Sequence, residues 1–291
     1  MKLATVKNQN IIYPCLIDNE KNQFWPINDL VEGFDGNMHQ LVQNFVEIRE
    51  QLRPTTAGRN LADVTILAPI PRPHRNIFCV GRNYHAHAKE LSASVFKDSN
   101  KQPDAWPIVF TKVPECVIGP DETVCLPNAI STQIDYEAEL AIIIGKEGKN
   151  ITKSQALDYV FGYTIVNDVT ARDVQMRHQQ WDLGKSFDTF CPMGPWIVTA
   201  GELDATQTHV RCWVNEELRQ DASTTDLIFD LPTLIETCSR GITLYPGDII
   251  ATGTPAGVGM GMKPPQYLRD GDVVKIAIDG IGVLQNRFKD V

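Results

Sequence analysis

The sequence predicts an α+β fold organised around a curled, β-rich roll, and three observations carry that prediction. Short strand candidates are numerous, helical stripes are few, and the two do not alternate as a doubly wound parallel sheet requires. The strand candidates are Ile77–Val80, Ile108–Lys112, Glu137–Ile144, Tyr163–Asn167, Trp196–Thr199, Val210–Val214, Asp248–Ala251 and Val273–Ile278. Gly247-Asp248 and Gly271-Asp272 supply turns ahead of two of them.

Residues 1–70 read as a small N-terminal α+β module and 71–291 as the main domain. Met1–Val6 and Ile11–Ile17 form a hairpin pattern across the turn-prone Lys7-Asn8-Gln9-Asn10. Met38, Leu41, Val42, Phe45, Ile48 and Leu52 recur at helical spacing, which predicts a helix near 37–53 that stops before Pro54. Pro69-Ile70-Pro71-Arg72-Pro73 fits a stiff linker, because proline fixes φ and removes amide donors. Two further helices are expected. Lys153–Val160 has Thr152 as N-cap and Gly162 past its end, and Leu231–Ser239 follows Asp230 with Pro232 in its first turn.

Composition narrows the functional classes. Over 291 residues, 43% hydrophobic and 22% charged content describes a globular chain rather than a disordered one. The net charge of −9 argues against nonspecific binding to nucleic acid or to an anionic membrane. No apolar run approaches the ~18 residues of a membrane span, and the start Met1-Lys2-Leu3-Ala4-Thr5-Val6-Lys7 is recharged too soon for a secretory segment. Seven cysteines without a CxxC pair fit buried thiols in a reducing cytoplasm.

The densest chemical signal is Asp135-Tyr136-Glu137-Ala138-Glu139 followed by an apolar run to Ile144. On a strand, Glu137 and Glu139 share a face roughly 7 Å apart, so the like charges need solvent or a cation. Oxygen donors of this kind suit Mg²⁺, Mn²⁺ or Ca²⁺ rather than Zn²⁺; the alternative is an exposed strand face. Asp168 sits where Gly162–Asn167 turns polar and would add a third carboxylate, although Asp168 or Asp173 could equally cap a following helix. In Gly81–Leu91, His87 and Glu90 are i and i+3 on a helix, a pairing that fixes the imidazole tautomer for proton abstraction; a plain surface helix is the alternative. Lys112 and Lys185 occupy similar strand-end contexts, where a solvated charge is the commoner outcome. Thr252–Pro265 is a glycine-rich loop with neither the Walker nor the dinucleotide pattern, leaving a substrate-lining loop or a set of tight turns.

In order along the chain, GRNYHAHAKE (81–90), FTKVPECVIGP (110–120), DYEAELAIIIGK (135–146), GYTIVNDVTARDVQ (162–175), GKSFDTFCPMGP (184–195) and TGTPAGVGM (252–260) resemble the fumarylacetoacetate hydrolase family. The resemblance covers residues 74–291, and its leading module is similar to the small N-terminal domain of the shorter, bacterial-type branch. It implies a β-roll catalytic domain, a homodimer, and Mg²⁺ or Mn²⁺ (Ca²⁺ as a substitute) held by Glu137, Glu139 and Asp168. It further implies a water-activating dyad of His87 and Glu90, with residues 92–106 as the rest of a lid. Lys185 would polarise the substrate, and Lys112, Arg172, Gln175 and Thr254 would line its site.

The activity implied first is hydrolysis of a C–C bond in a 2,4-dioxo acid of acylpyruvate or fumarylpyruvate type, through an enolate that the cation stabilises. A small anionic 2-oxo acid is the expected partner. The alternatives are an oxaloacetate decarboxylase or a 2-hydroxy-dienedioate isomerase with the same metal site, and more remotely a non-catalytic metabolite-binding protein.

Overall fold

The computed structural model of the chain describes residues 1–91 and 106–291. Strand β1 (Lys2–Asn8) pairs with β2 (Ile11–Asp18) as an antiparallel hairpin, and β3 (Gln23–Pro26) extends it. Helix α1 (Met38–Ile48) begins at Asn37, whose side chain accepts from the Gln40 amide while the Gln40 side chain accepts from the Asn37 amide. That reciprocal box satisfies two amides the helix cannot use itself. The apolar stripe then buries Met38, Leu41, Val42 and Ile48.

The main part opens with β4 (Ile77–Gly81), helix α2 (His85–Leu91) and β5 (Ile108–Lys112). The expected lid residues 92–105 lie outside the described residues. Strands β6 (Thr123–Leu126), β7 (Ala138–Ile144), β8 (Val160–Asn167) and β9 (Cys191–Thr199) follow, with β7 buried at every position. Then come β10 (His209–Val214), β11 (Glu217–Ser223), helix α3 (Leu231–Ser239), β12 (Ile249–Ala251), β13 (Val273–Ile278) and β14 (Gly282–Asp290).

The larger sheet runs β3-β2-β1-β9-β8-β7-β12-β4-β5, and a second, five-stranded sheet runs β11-β10-β13-β14-β6. Lys2 pairs with Val198, so the first strands share a sheet with the main part of the chain. The larger sheet is rolled, not flat. Edge strand β5 is four steps from β8, about 19 Å at roughly 4.8 Å per step. Yet the ammonium of Lys112 on β5 lies 2.8 Å from Asp168, the residue following β8. Only curling brings the two together, and it gathers the site residues inside the roll.

Three details differ from the sequence expectation. Residues Lys153–Tyr159 form a 3-10 helix rather than an α-helix, and Thr152 makes no cap, its hydroxyl instead facing the Ser154 and Gln155 side chains. Strand β11, ELRQDAS, carries too little apolar character to show as a strand; its partner β10 supplies the pairing. In β14, Leu284, Asn286 and Phe288 are buried in alternation, and the polar Asn286 masks that alternation. Its amide is satisfied by the Gly119 and Glu122 carbonyls.

Helix α1 is tied to the segment before β4 by His39, which stacks on His74 with ring centroids 3.6 Å apart and contacts the Arg72 carbonyl at 3.2 Å. Burial lowers the His39 pKa, and a charge on His74 lowers it further, against the opposing pull of Asp248. The folded state therefore binds fewer protons at His39 than the unfolded chain does, so this contribution is present above about pH 6.5 and is lost as pH falls below it. The melting temperature should drop on acidification through that window, and His39→Gln should flatten the drop, as read by calorimetry across pH.

Candidate metal centre and acid–base site

Glu137, Glu139 and Asp168 each bring a carboxylate oxygen within 4.8 Å of the others, and all three are buried. Backbone pairing sets this geometry. Ala138 on β7 faces Asn167 on β8, the Asp168 amide donates to the Glu137 carbonyl at 2.9 Å, and the Glu137 amide donates to the Asn167 side chain at 3.0 Å. The two strand ends are thereby locked together at the point where the carboxylates diverge from the apolar run.

The charges around the three acids are uneven. The Lys185 ammonium lies 2.7 Å from both Glu137 and Asp168. Arg172 reaches Glu137 at 2.7 Å with Nη2, Asp135 at 2.8 Å with Nε, and the Gln175 side chain at 3.2 Å with Nη1. Burial pushes the Glu137 carboxyl up, but Lys185, Arg172 and His87 outweigh it and hold the group well below the usual carboxylate range. Glu139 moves the other way: burial raises it, then the neighbouring Asp168 and Glu137 charges, with Lys185 and one amide opposing. That amide is Gly253 N–H, 2.8 Å from Oε2. Among the described residues Glu139 has no ion pair. A buried carboxyl crowded by like charges fits a divalent cation, and the all-oxygen donor set fits Mg²⁺ or Mn²⁺.

His87 is buried on α2, with Nδ1 3.2 Å from the Glu90 carboxylate. A carboxylate can only accept, so Nδ1 carries the proton of this contact, and in the neutral ring the lone pair is on Nε2. Glu90 in turn accepts from the Gly257 amide at 3.1 Å. His87, Glu137, Glu139, Arg172, Gln175, Lys185 and Thr254 line one cavity, together with Val80, Gly81, Arg82, Phe110 and Trp181.

Lys112 is placed elsewhere. It has no exposed surface, does not line the cavity, and gives its ammonium to Asp168, the Val169 carbonyl and the Lys185 carbonyl. Burial disfavours its charge, and the Asp168 carboxylate more than restores it, leaving the pKa above its ordinary value.

The motif reading gave no role to several residues. Asp135 is fully buried against Arg172 and the glycine-rich loop. Gln220 donates to Thr254 Oγ1 at 2.7 Å and accepts from the Ala138 amide at 3.1 Å. Trp181 packs so closely on Gly81 that a Cβ there would lie 2.5 Å from its ring. The glycine itself was the available signal for that contact. The loop Thr252–Met260 lines the cavity through Thr254 and serves as an amide source, and Gly257 at φ +106 leaves no room for a side chain, since a Cβ would meet the Arg219 carbonyl at 1.8 Å.

Residues 76–289 match the model for the fumarylacetoacetate (FAA) hydrolase C-terminal domain. The chain belongs to the fumarylacetoacetate hydrolase family. Members of this family are enzymes, and the rolled, strand-rich fold is the family's. The chain is 50% identical over 230 residues to oxaloacetate tautomerase YisK of Bacillus subtilis, covering 79% of this chain and 74% of that one. It is 39% identical over 267 residues to the mitochondrial oxaloacetate tautomerase fahd2 of Xenopus laevis, covering 88% and 81%. Among solved structures, maleylpyruvate hydrolase from Sphingobium sp. SYK-6, in complex with manganese(II) and pyruvate, superposes with a TM-score of 0.81 at 32% identity, covering 100% and 99%. The fumarylacetoacetate hydrolase of Exiguobacterium antarcticum gives 0.86 at 40% identity, covering both chains fully.

Glu139→Gln keeps the side-chain volume and removes the charge least compensated by protein cations. Mn²⁺ affinity should fall by more than the about 10–100-fold typical of losing an outer-shell partner. Calorimetric titration of the purified variant reads this directly.

Proposed function

We propose that the chain interconverts the keto and enol forms of oxaloacetate, or of a closely similar short 2-oxo dicarboxylate, with Mg²⁺ or Mn²⁺ held by Glu137, Glu139 and Asp168. One observation carries the reading: a histidine oriented as a base opens into the same cavity as an acidic cluster and three cationic side chains, Arg82, Arg172 and Lys185. The names of two relatives, at 50% and 39% identity, point the same way. The cation would act as a Lewis acid on the 2-oxo group, acidifying the C3 protons.

The protein side chains do the rest. Arg172, which lines the cavity, pairs with a substrate carboxylate, which offsets the repulsion expected from a chain of net charge −9. His87 Nε2 takes a proton from C3, Glu90 stabilises the imidazolium through Nδ1, and the released electron pair forms the C2–C3 double bond. Lys185, which lines the cavity, donates a hydrogen bond to the oxygen on which charge develops, and the proton held by the His87 imidazolium is delivered through water to that oxygen, completing the enol and restoring the neutral base. Lys112 acts behind the site, fixing Asp168.

A second reading is hydrolysis of an acylpyruvate or fumarylpyruvate. The His87–Glu90 pair favours it, because the same Nε2 can take its proton from water instead of carbon. Decarboxylation of oxaloacetate and isomerisation of a hydroxy-dienedioate would draw on the same enolate chemistry. The reading also takes the chain as a cytoplasmic homodimer, to be checked by native mass; no helix among the described residues is long and apolar enough to cross a membrane.

The deciding experiment incubates the Mg²⁺-loaded protein with oxaloacetate, acylpyruvates and a hydroxy-dienedioate. Accelerated enol–keto equilibration with no change of mass supports the tautomerase. Carbon dioxide release, or pyruvate with a free acid, gives the decarboxylase or the hydrolase, and turnover of none leaves a binding protein. His87→Gln should cut turnover about 10²–10⁴-fold while leaving Mn²⁺ affinity within about threefold of the parent.

A further inference from the structure

Asp135 belongs to no part of the chemistry described above, yet it is fully buried and every direction around its carboxylate is used. Oδ1 accepts from the Gly259 amide at 2.7 Å and from its own neighbour's amide, Tyr136 N–H, at 2.9 Å. Oδ2 accepts from the Met260 amide at 2.9 Å and from Arg172 Nε at 2.8 Å. The short ribbon Ile134–Asp135 against Thr170–Ala171 places it beside Arg172. Gly259 lies so close that a Cβ there would approach Oδ1 to 2.8 Å. The loop that seats Asp135 also donates to Glu139 through Gly253 and to Glu90 through Gly257.

We propose that Asp135 is a positioning residue for substrate binding: anchored by the glycine-rich loop, it holds the Arg172 guanidinium at the angle that leaves N–H groups free for a substrate carboxylate. The physical need is a competition. Arg172 also touches Glu137 at 2.7 Å, and a buried guanidinium with one acidic neighbour would swing fully onto it in bidentate fashion. A second carboxylate on the Nε side, itself fixed by two loop amides, keeps Arg172 shared between the two acids. Glu137 is then left with an oxygen for Lys185 and for a cation. This inference rests on the assignment of Arg172 to substrate binding made above.

The test is a double-mutant cycle on the Mn²⁺-loaded protein with two readouts, KM for oxaloacetate and the calorimetric affinity for oxalate, a non-reacting dianion. In Asp135→Asn the amide NH₂ stands either at the Oδ2 position, against both Arg172 Nε–H and Met260 N–H, or at the Oδ1 position, against both Gly259 N–H and Tyr136 N–H. The substitution should raise KM and weaken oxalate about 10–100-fold, with kcat and Mn²⁺ affinity each within about threefold of the parent. In an Arg172→Met background the same change should cost less than about threefold, because its route of action is already gone. Met260→Pro removes only one loop amide. It serves as the milder variant should Asp135→Asn fail to fold, and should shift oxalate affinity in the same direction, again only when Arg172 is present. Equal losses with and without Arg172, or no loss of oxalate affinity from Met260→Pro, overturn the proposal. A loss of Mn²⁺ affinity as large as that of Glu139→Gln overturns it too, by placing Asp135 among the metal donors. If the parent binds oxalate but does not turn over oxaloacetate, the proposed reaction fails while the oxalate cycle still decides the role of Asp135.

Discussion

Three carboxylates confined within 4.8 Å inside a protein are a standing electrostatic problem, and the architecture around them is its solution. Desolvation and mutual repulsion both push such groups to take up protons. The fold instead sets cations around two of them. Lys185 lies between Glu137 and Asp168, Arg172 approaches Glu137 from the far side, and Lys112 supports Asp168 from below. Glu139 has no ion pair among the described residues, and burial with the Asp168 and Glu137 charges drives its carboxyl up, while Lys185 and Arg172 drive that of Glu137 down. The asymmetry gives the site its character: protein cations answer most of the negative charge, and the remainder suits a divalent ion.

The cations also serve the cavity. Lys185 and Arg172 face the space where an anionic substrate would sit, so the charges that stabilise the acidic cluster are those that draw in a carboxylate. The chain as a whole is acidic, at net −9, so attraction of the proposed anionic substrate would be a local property of the pocket. The close approach of Trp181 to Gly81 and the placement of Phe110 beneath Lys185, 4.9 Å from its ring centroid, add apolar walls that strengthen these charge interactions.

The glycine-rich loop contributes backbone rather than side chains. Its amides at Gly253, Gly257, Gly259 and Met260 reach Glu139, Glu90 and Asp135, so one segment touches the acidic cluster, the carboxylate paired with His87 and the carboxylate paired with Arg172. Amides aimed at carboxylates need close approach, and the glycines remove the Cβ atoms that would prevent it, as at Gly257. Displacing this loop would disturb all three groups together.

Much of this was legible in the sequence because it is local. Period-two spacing placed Glu137 and Glu139 on one side of a strand, the i to i+3 spacing paired His87 with Glu90, and the apolar stripe from Met38 and the Asp230 before Leu231 marked two helices that the structure reproduces. Strand β11 and the 3-10 turn at Lys153–Tyr159 were not legible, since partner strands and packing decided them. Asp135 stood in the densest motif, yet its link to Arg172 was hidden, because the Arg172 guanidinium and the Gly259 and Met260 amides that reach it lie far along the chain. The sequence by itself determined which residue types are available and which near neighbours share a face, since dihedral periodicity is fixed by covalent geometry. Only the rolled sheet decided that Lys112 would turn inward to Asp168 and that a loop more than a hundred residues away would hold Asp135 and Glu139, because such contacts depend on closure in three dimensions.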